Sequence, residues 1–149
     1  MYALIIFVIG LEAGIINKMR VGFTGTQSGM TGFQRTAFIN LINNMNFDEL
    51  HIGDCKGADT EAYSLFYGIK IGHIPDNNQK RSFLKYDEER LPKPYLERNH
   101  DIVDETEILI ATPKESKEVL RSGTWATIRY AKKQNKKVYV IFPDGNWED

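Results

Sequence analysis

The stretch Leu50 to Ala62 limits this chain more than any other, because it reads as a strand, a glycine-bracketed loop and a helix with nothing between them. The apolar run ends at Ile52, Gly53 and Gly57 bracket the turn, and Ala58, Ala62, Leu65 and Phe66 then recur at helical spacing. Glycine allows positive φ and close backbone approach, and a helix N-terminus behind such a loop presents unpaired N–H groups suited to phosphate. Two readings are open here. The stretch is either a plain β–loop–α connection with Asp59 as a capping residue, or one wall of an anion site with Asp59 on a sugar hydroxyl.

The same pattern occurs twice more. Arg20 to Gly25 predicts a first buried strand running into Thr26-Gln27-Ser28-Gly29, and Thr31 with Gln34 forms a capping-box pattern ahead of Phe33, Ala37, Phe38, Leu41, Ile42 and Met45. Ser122-Gly123-Thr124 leads into a helix reaching about Gln134, with Trp125, Ile128 and Ala131 inward. Between these lie a helix predicted to end near Tyr67 with Gly68 as its cap, a strand over Ile69 to Ile74, and a polar segment Asp76 to Pro94 expected to hold a short helix or a flap. A helix started by Pro94, a strand over Ile108 to Ala111 and a last strand over Val138 to Phe142 complete the pattern. Apolar strands alternating with helices predict an α/β fold, an open parallel sheet of about five strands with helices on both faces. In such a sheet ligands bind where the strand order reverses, outside the carboxyl ends.

Composition removes several function classes. The 149 residues fit one domain, and nineteen Lys+Arg against twenty Asp+Glu leave no basic footprint for nucleic acid or an anionic membrane. The single cysteine, Cys55, rules out an internal disulfide and fits a reducing cytoplasm. His51, His73 and His100 are isolated in sequence, so neither a metal nor a cofactor is expected. The glycines at 22, 25, 29 and 32 match neither a G-x-G-x-x-G fingerprint nor a P-loop. The apolar run Tyr2 to Ile9 is too short to span a bilayer, and residues 1–18 read as an extension ahead of a 19–149 domain.

Taken in order, strand–Gly-x-x-x-Gly-Ala-Asp, Arg98-Asn99 on a helix before a strand ending Ile110-Ala111, and Ser-Gly-Thr before a helix resemble the SLOG superfamily. These are Rossmann-like, doubly wound proteins related to the DNA-processing protein A and the LONELY GUY phosphoribohydrolases, and the resemblance spans about Met19 to Gly145. It implies a nucleotide or nucleotide derivative held by Gly25, Thr26, Gly53, Asp54, Lys56, Gly57, Ala58, Asp59, Asn99, Ser122, Gly123 and Thr124. Arg98 and Arg121 are candidate phosphate partners, since guanidinium is a bidentate donor. With the surplus of aromatics such as Tyr63, Tyr67 and Tyr130, the resemblance also implies a homo-oligomer, a dimer above all.

One position departs from the hydrolase branch. Its Pro-Gly-Gly-x-Gly-Thr-x-x-Glu motif aligns Gly123-Thr124 with Gly-Thr and places Thr127 where the Glu stands. A threonine cannot serve as a carboxylate base. Binding as a sensor or binding domain is therefore the expectation, with Thr124 and Thr127 hydroxyls beside the ligand. A nucleoside monophosphate hydrolase using Asp59 is the alternative, and single-stranded DNA binding a weaker one. Cys55 near a helix N-terminus is read as a small loop residue rather than a nucleophile.

Overall fold

The computed structural model describes residues 18–149. The run Tyr2 to Ile9, and with it the dispensability of the extension, lies outside the described residues.

Among the described residues, four α-helices and seven strands follow one another, mostly in alternation. They are β1 (Arg20–Gly25), α1 (Gly32–Met45), β2 (Glu49–Ile52), α2 (Ala58–Leu65), β3 (Ile69–Pro75), β4 (Glu88–Lys93), α3 (Tyr95–Asp104), β5 (Ile108–Thr112), α4 (Gly123–Lys133), β6 (Lys137–Ile141) and β7 (Trp147–Glu148). The sheet order is β4-β3-β2-β1-β5-β6-β7. All pairs are parallel except β6 with β7. The doubly wound class holds, with seven strands instead of about five.

The two added strands carry little apolar signal. β4 reads Glu-Glu-Arg-Leu-Pro-Lys and lies at the sheet edge, where charge and proline are tolerated because one side makes no ladder. β7 is two residues long and exposed. The segment before β4 holds a 3-10 turn at Asn78–Lys80.

Two apolar layers sandwich the sheet. Val21, Phe23, Leu50, Ile52, Ile108 and Ile110 face α1 and α2, meeting Phe38, Leu41, Ala58 and Ala62. Leu109, Ala111, Val138 and Val140 face α3 and α4, meeting Ile102, Val103, Trp125, Ile128 and Ala131. The alternation of Leu109 and Ile110 between these layers is the period-two signature of a strand buried on both faces.

The predicted capping box opens α1: Gln34 N donates to Thr31 Oγ1 and Thr31 N to Gln34 Oε1, each at 3.0 Å. Phe33, placed on the inward face by its spacing, is 69% exposed. Helix α2 stops at Leu65, ahead of Tyr67, because Phe66 turns to extended geometry and buries its ring in the core. Gly68, the predicted cap, stands three residues beyond Leu65 with φ 152°. Of the aromatics taken as surplus, Tyr63 packs edge-on against Tyr86 and Tyr130 stacks on His100 at 3.8 Å. Tyr67 alone of the three is exposed. No helix among the described residues is long and apolar enough to cross a membrane.

Candidate functional site

The strand order reverses between β1 and β5, and a cleft of about 370 Å³ opens beyond their carboxyl ends. Gly25, Thr26 and Gln27 line it from β1, Lys114 and Glu115 from β5, and Arg121 to Thr124 from the start of α4. Lys80 from the 3-10 turn and Tyr95, the first residue of α3, close the far side.

The α4 N-terminus is set by Ser122, whose Oγ accepts from Trp125 N at 3.2 Å and whose carbonyl accepts from Ala126 N at 2.9 Å. The N–H groups of Gly123 and Thr124 are the first-turn donors left over, at the positive end of the helix dipole. Lys80, Lys114 and Arg121 make no ion pair among the described residues, so three cations stand around those donors. Among the described residues Glu115 is the single carboxylate lining the cleft, and its Oε1 accepts from Trp125 Nε1 at 3.1 Å. Cation-rich walls around a helix N-terminus favour an anion.

Six of the sequence-predicted residues therefore meet: Gly25, Thr26, Arg121, Ser122, Gly123 and Thr124. The glycine loop 53–59 stands behind this wall, and its glycines serve packing. Gly57 has φ 88°, and a Cβ there would run into the Gln27 backbone. Ala58 N donates to Thr26 O at 3.0 Å, so the two loops are laced together. A Cβ on Gly25 would strike Thr112 and Ala58. Lys56 is exposed and its N donates to Lys80 O, which fixes the turn that carries Lys80.

Asp54, named as a ligand residue, is fully buried and saturated. Its carboxylate accepts from Arg81 Nε at 2.7 Å, Tyr86 Oη at 2.7 Å, Leu84 N at 3.1 Å and Phe83 N at 3.3 Å. It anchors the segment between β3 and β4 to the β2 turn, in a left-handed conformation with φ 57°. Burial and the Asp54 charge together push the Tyr86 hydroxyl far up, so it donates at every working pH.

Arg98 and Asn99 are buried behind Tyr95 rather than open to the cleft. The Arg98 guanidinium donates to Gly53 O, to Asn99 Oδ1 at 2.8 Å and to His73 O at 3.4 Å, and lies 4.9 Å from the Tyr95 ring centre. Beside it, Asp59 Oδ2 accepts from Cys55 N at 3.0 Å. Burial lifts the Asp59 carboxyl to about 6 against the pull of Arg98. At neutral pH it is ionised and offsets the guanidinium charge. Burial, reinforced by Asp59, pushes the Cys55 thiol up, so it stays protonated as a loop residue. Thr127 is 2% exposed and its hydroxyl donates to Gly123 O at 2.9 Å. It is not among the residues that line the cleft, and its hydroxyl is satisfied on the carbonyl four residues back, as a helical threonine allows.

Sequence reasoning missed Gln27, Lys80, Tyr95, Lys114 and Glu115 as wall residues. Lys114 and Glu115 directly follow the strand ending Thr112-Pro113, a position that could have flagged them. Lys80 had no such signal. It also missed that His51 and His73, isolated in sequence, meet across β2 and β3 with Nδ1 and Nε2 at 2.9 Å.

No family model matches the chain, and no curated protein matches it in sequence. Solved structures do match. The molybdenum cofactor binding protein of Rippkaea orientalis is 19% identical over 85% of this chain and 78% of its own, with a TM-score of 0.62. DNA processing protein A of Streptococcus pneumoniae is 17% identical over 85% of this chain, with the same TM-score. The chain shares the Rossmann-like fold of these two proteins. The Moco carrier protein of Chlamydomonas reinhardtii, 18% identical over 83% of this chain and 76% of its own, superposes with a TM-score of 0.58. This chain covers 51% of the length of the DNA processing protein.

Proposed function

We propose that this SLOG-type chain binds a phosphorylated small molecule, of the nucleotide-derivative class, without turning it over efficiently. The observation that carries this reading is the convergence of Lys80, Lys114 and Arg121 on the free first-turn N–H groups of α4, at the strand-order reversal. Such a wall suits a phosphate, and the Tyr95 ring beside it offers a flat apolar surface for a heterocycle.

Binding is favoured over hydrolysis by the carboxylates. Thr127 stands at the hydrolase glutamate position with its hydroxyl committed to Gly123 O, and Asp59 is buried behind the wall. If the ligand is cleaved, Glu115 is the carboxylate placed to act. Two of the structural matches are molybdenum cofactor proteins, which favours including that cofactor as a second ligand reading. Single-stranded DNA binding is disfavoured by the net charge of −1.

A thermal-shift screen over nucleotides, nucleosides and the molybdenum cofactor tests this. A ligand at 100 times its Kd adds about 2.7 kcal/mol of stability. Phosphorylated compounds are expected to raise the melting temperature and their unphosphorylated counterparts to leave it unchanged. Incubation followed by chromatography is expected to show no free base.

A further inference from the structure

We propose that His73 and Glu105 form a seat for a divalent transition-metal ion of the zinc class, oriented by a hydrogen-bonded chain through His51 to Glu49. The seat lies on the α3 face of the sheet, with Glu105 capping α3 at its C-terminal end, away from the cleft.

The directions of the hydrogen bonds carry the argument. Glu49 is an acceptor, held by Lys18 at 3.1 Å, and His51 Nε2 lies 3.0 Å from its Oε1. His51 must therefore carry its proton on Nε2 and present a lone pair on Nδ1. That lone pair sits 2.9 Å from His73 Nε2, which must donate. His73 Nδ1 is then a bare lone pair on a ring only 1% exposed, and it has no hydrogen-bond partner among the described residues. What faces it is a second acceptor: Glu105 Oε2, 3.8 Å away.

Glu105 is held so that this oxygen stays available. Arg90 donates from Nε at 2.9 Å and from Nη2 at 2.8 Å, both to Oε1, leaving Oε2 toward the histidine. Glu88 pairs with Arg90 Nη1 at 3.0 Å and offsets its charge. Two acceptors 3.8 Å apart repel each other, and a metal ion between them would turn that repulsion into coordination. Nitrogen and oxygen bonds of about 2.0–2.1 Å to zinc span 3.8 Å at an open angle, leaving further positions for water. A ligating histidine whose other N–H is handed to an acceptor chain is the usual outer-shell arrangement, since it fixes the tautomer and raises basicity. Glu105 is part-exposed, which gives the ion an entry path.

The test is metal-stripped full-length protein titrated with Zn2+ by calorimetry and with Co2+ by absorption, plus anomalous diffraction from Zn2+-soaked crystals. One ion per chain is expected, with an anomalous peak between His73 Nδ1 and Glu105 Oε2. Glu105→Gln and His73→Asn should each weaken binding at least tenfold, and Glu49→Gln roughly tenfold through the orienting chain. His100→Ala should bind as the wild type does. The wild-type cobalt spectrum and the anomalous peak hold even if a histidine variant misfolds. A water between the two atoms that excess Zn2+ fails to displace, an ion bound elsewhere, or wild-type affinity in Glu105→Gln each overturns the proposal.

Discussion

The Tyr95 hydroxyl occupies the space that a side chain at Gly123 would need: a Cβ built on Gly123 lies 2.5 Å from Tyr95 Oη. The bare backbone at the start of α4 thus does two things, exposing its N–H groups to the cleft and letting the first residue of α3 close against it. Gly123→Ala should destabilise the fold by about 1–3 kcal/mol through overpacking and weaken phosphate binding. Adding Tyr95→Ala should recover part of that stability. A double-mutant cycle by denaturant unfolding measures the coupling, and additive effects would show that the two residues act separately.

Asp54 ties four donors of the segment between β3 and β4 to the β2 turn. Asp54→Ala strands the Arg81 guanidinium and the Tyr86 hydroxyl, and should cost about 3 kcal/mol or more. Amide exchange should rise most at Phe83 and Leu84, whose N–H groups lose their acceptor. Unchanged protection there would mean that the β3–β4 ladder alone holds the segment.

Asp59 gives a pH dependence of unusual sign for a carboxylate. Its value rises from 3.8 to about 6 in the fold because burial disfavours the anion. Between those values the folded state keeps a proton that the unfolded state has released, so this contribution is full below 3.8 and is lost as pH rises through about 6. Asp59→Asn should therefore gain stability relative to wild type between pH 3.5 and pH 7, by roughly 3 kcal/mol. Unfolding curves of both proteins across that range decide it. A difference that is flat, or that moves the other way, would show that Arg98 holds the carboxylate ionised at lower pH.

Thr127→Ala removes a hydroxyl whose proton goes to Gly123 O, so ligand affinity should change by less than twofold. Thermal-shift titrations of both proteins check this. A tenfold loss would restore Thr127 to the ligand wall.

The fold was legible because its signals are local. Leu109 and Ile110 alternate between two apolar layers, Thr31 and Gln34 form their capping box, and Ser122 caps α4 as its sequence demands. β4 escaped because an edge strand needs no apolar alternation, and Glu88 to Lys93 shows none. In the site, Gly25 and Thr26 at the end of β1 and Arg121 to Thr124 at the start of α4 were found, since topology places those positions at the cleft, whereas Lys114 and Glu115 after β5 and Tyr95 at the start of α3 were not. Asp54 and Asp59 were assigned to the ligand because the resemblance puts their glycine loop at the site, and Arg98 because guanidinium is a bidentate phosphate donor. Their hydrogen bonds to Tyr86, Cys55 and Gly53 depend on pairings that sequence spacing does not reveal. The meeting of His51 with His73 is of the same kind, set by the β2–β3 register.

The central claim is that Lys114 and Arg121 recognise phosphate at the α4 N-terminus. Calorimetric titration with the best ligand of the thermal-shift screen and its dephosphorylated form tests it, in wild type and in Lys114→Ala/Arg121→Ala. The wild type should prefer the phosphorylated form by at least tenfold, as charge-assisted hydrogen bonds of about 1.5–3 kcal/mol require. The double variant should lose that preference. Equal affinity for the two forms in the wild type, or an undiminished preference in the variant, would contradict the account.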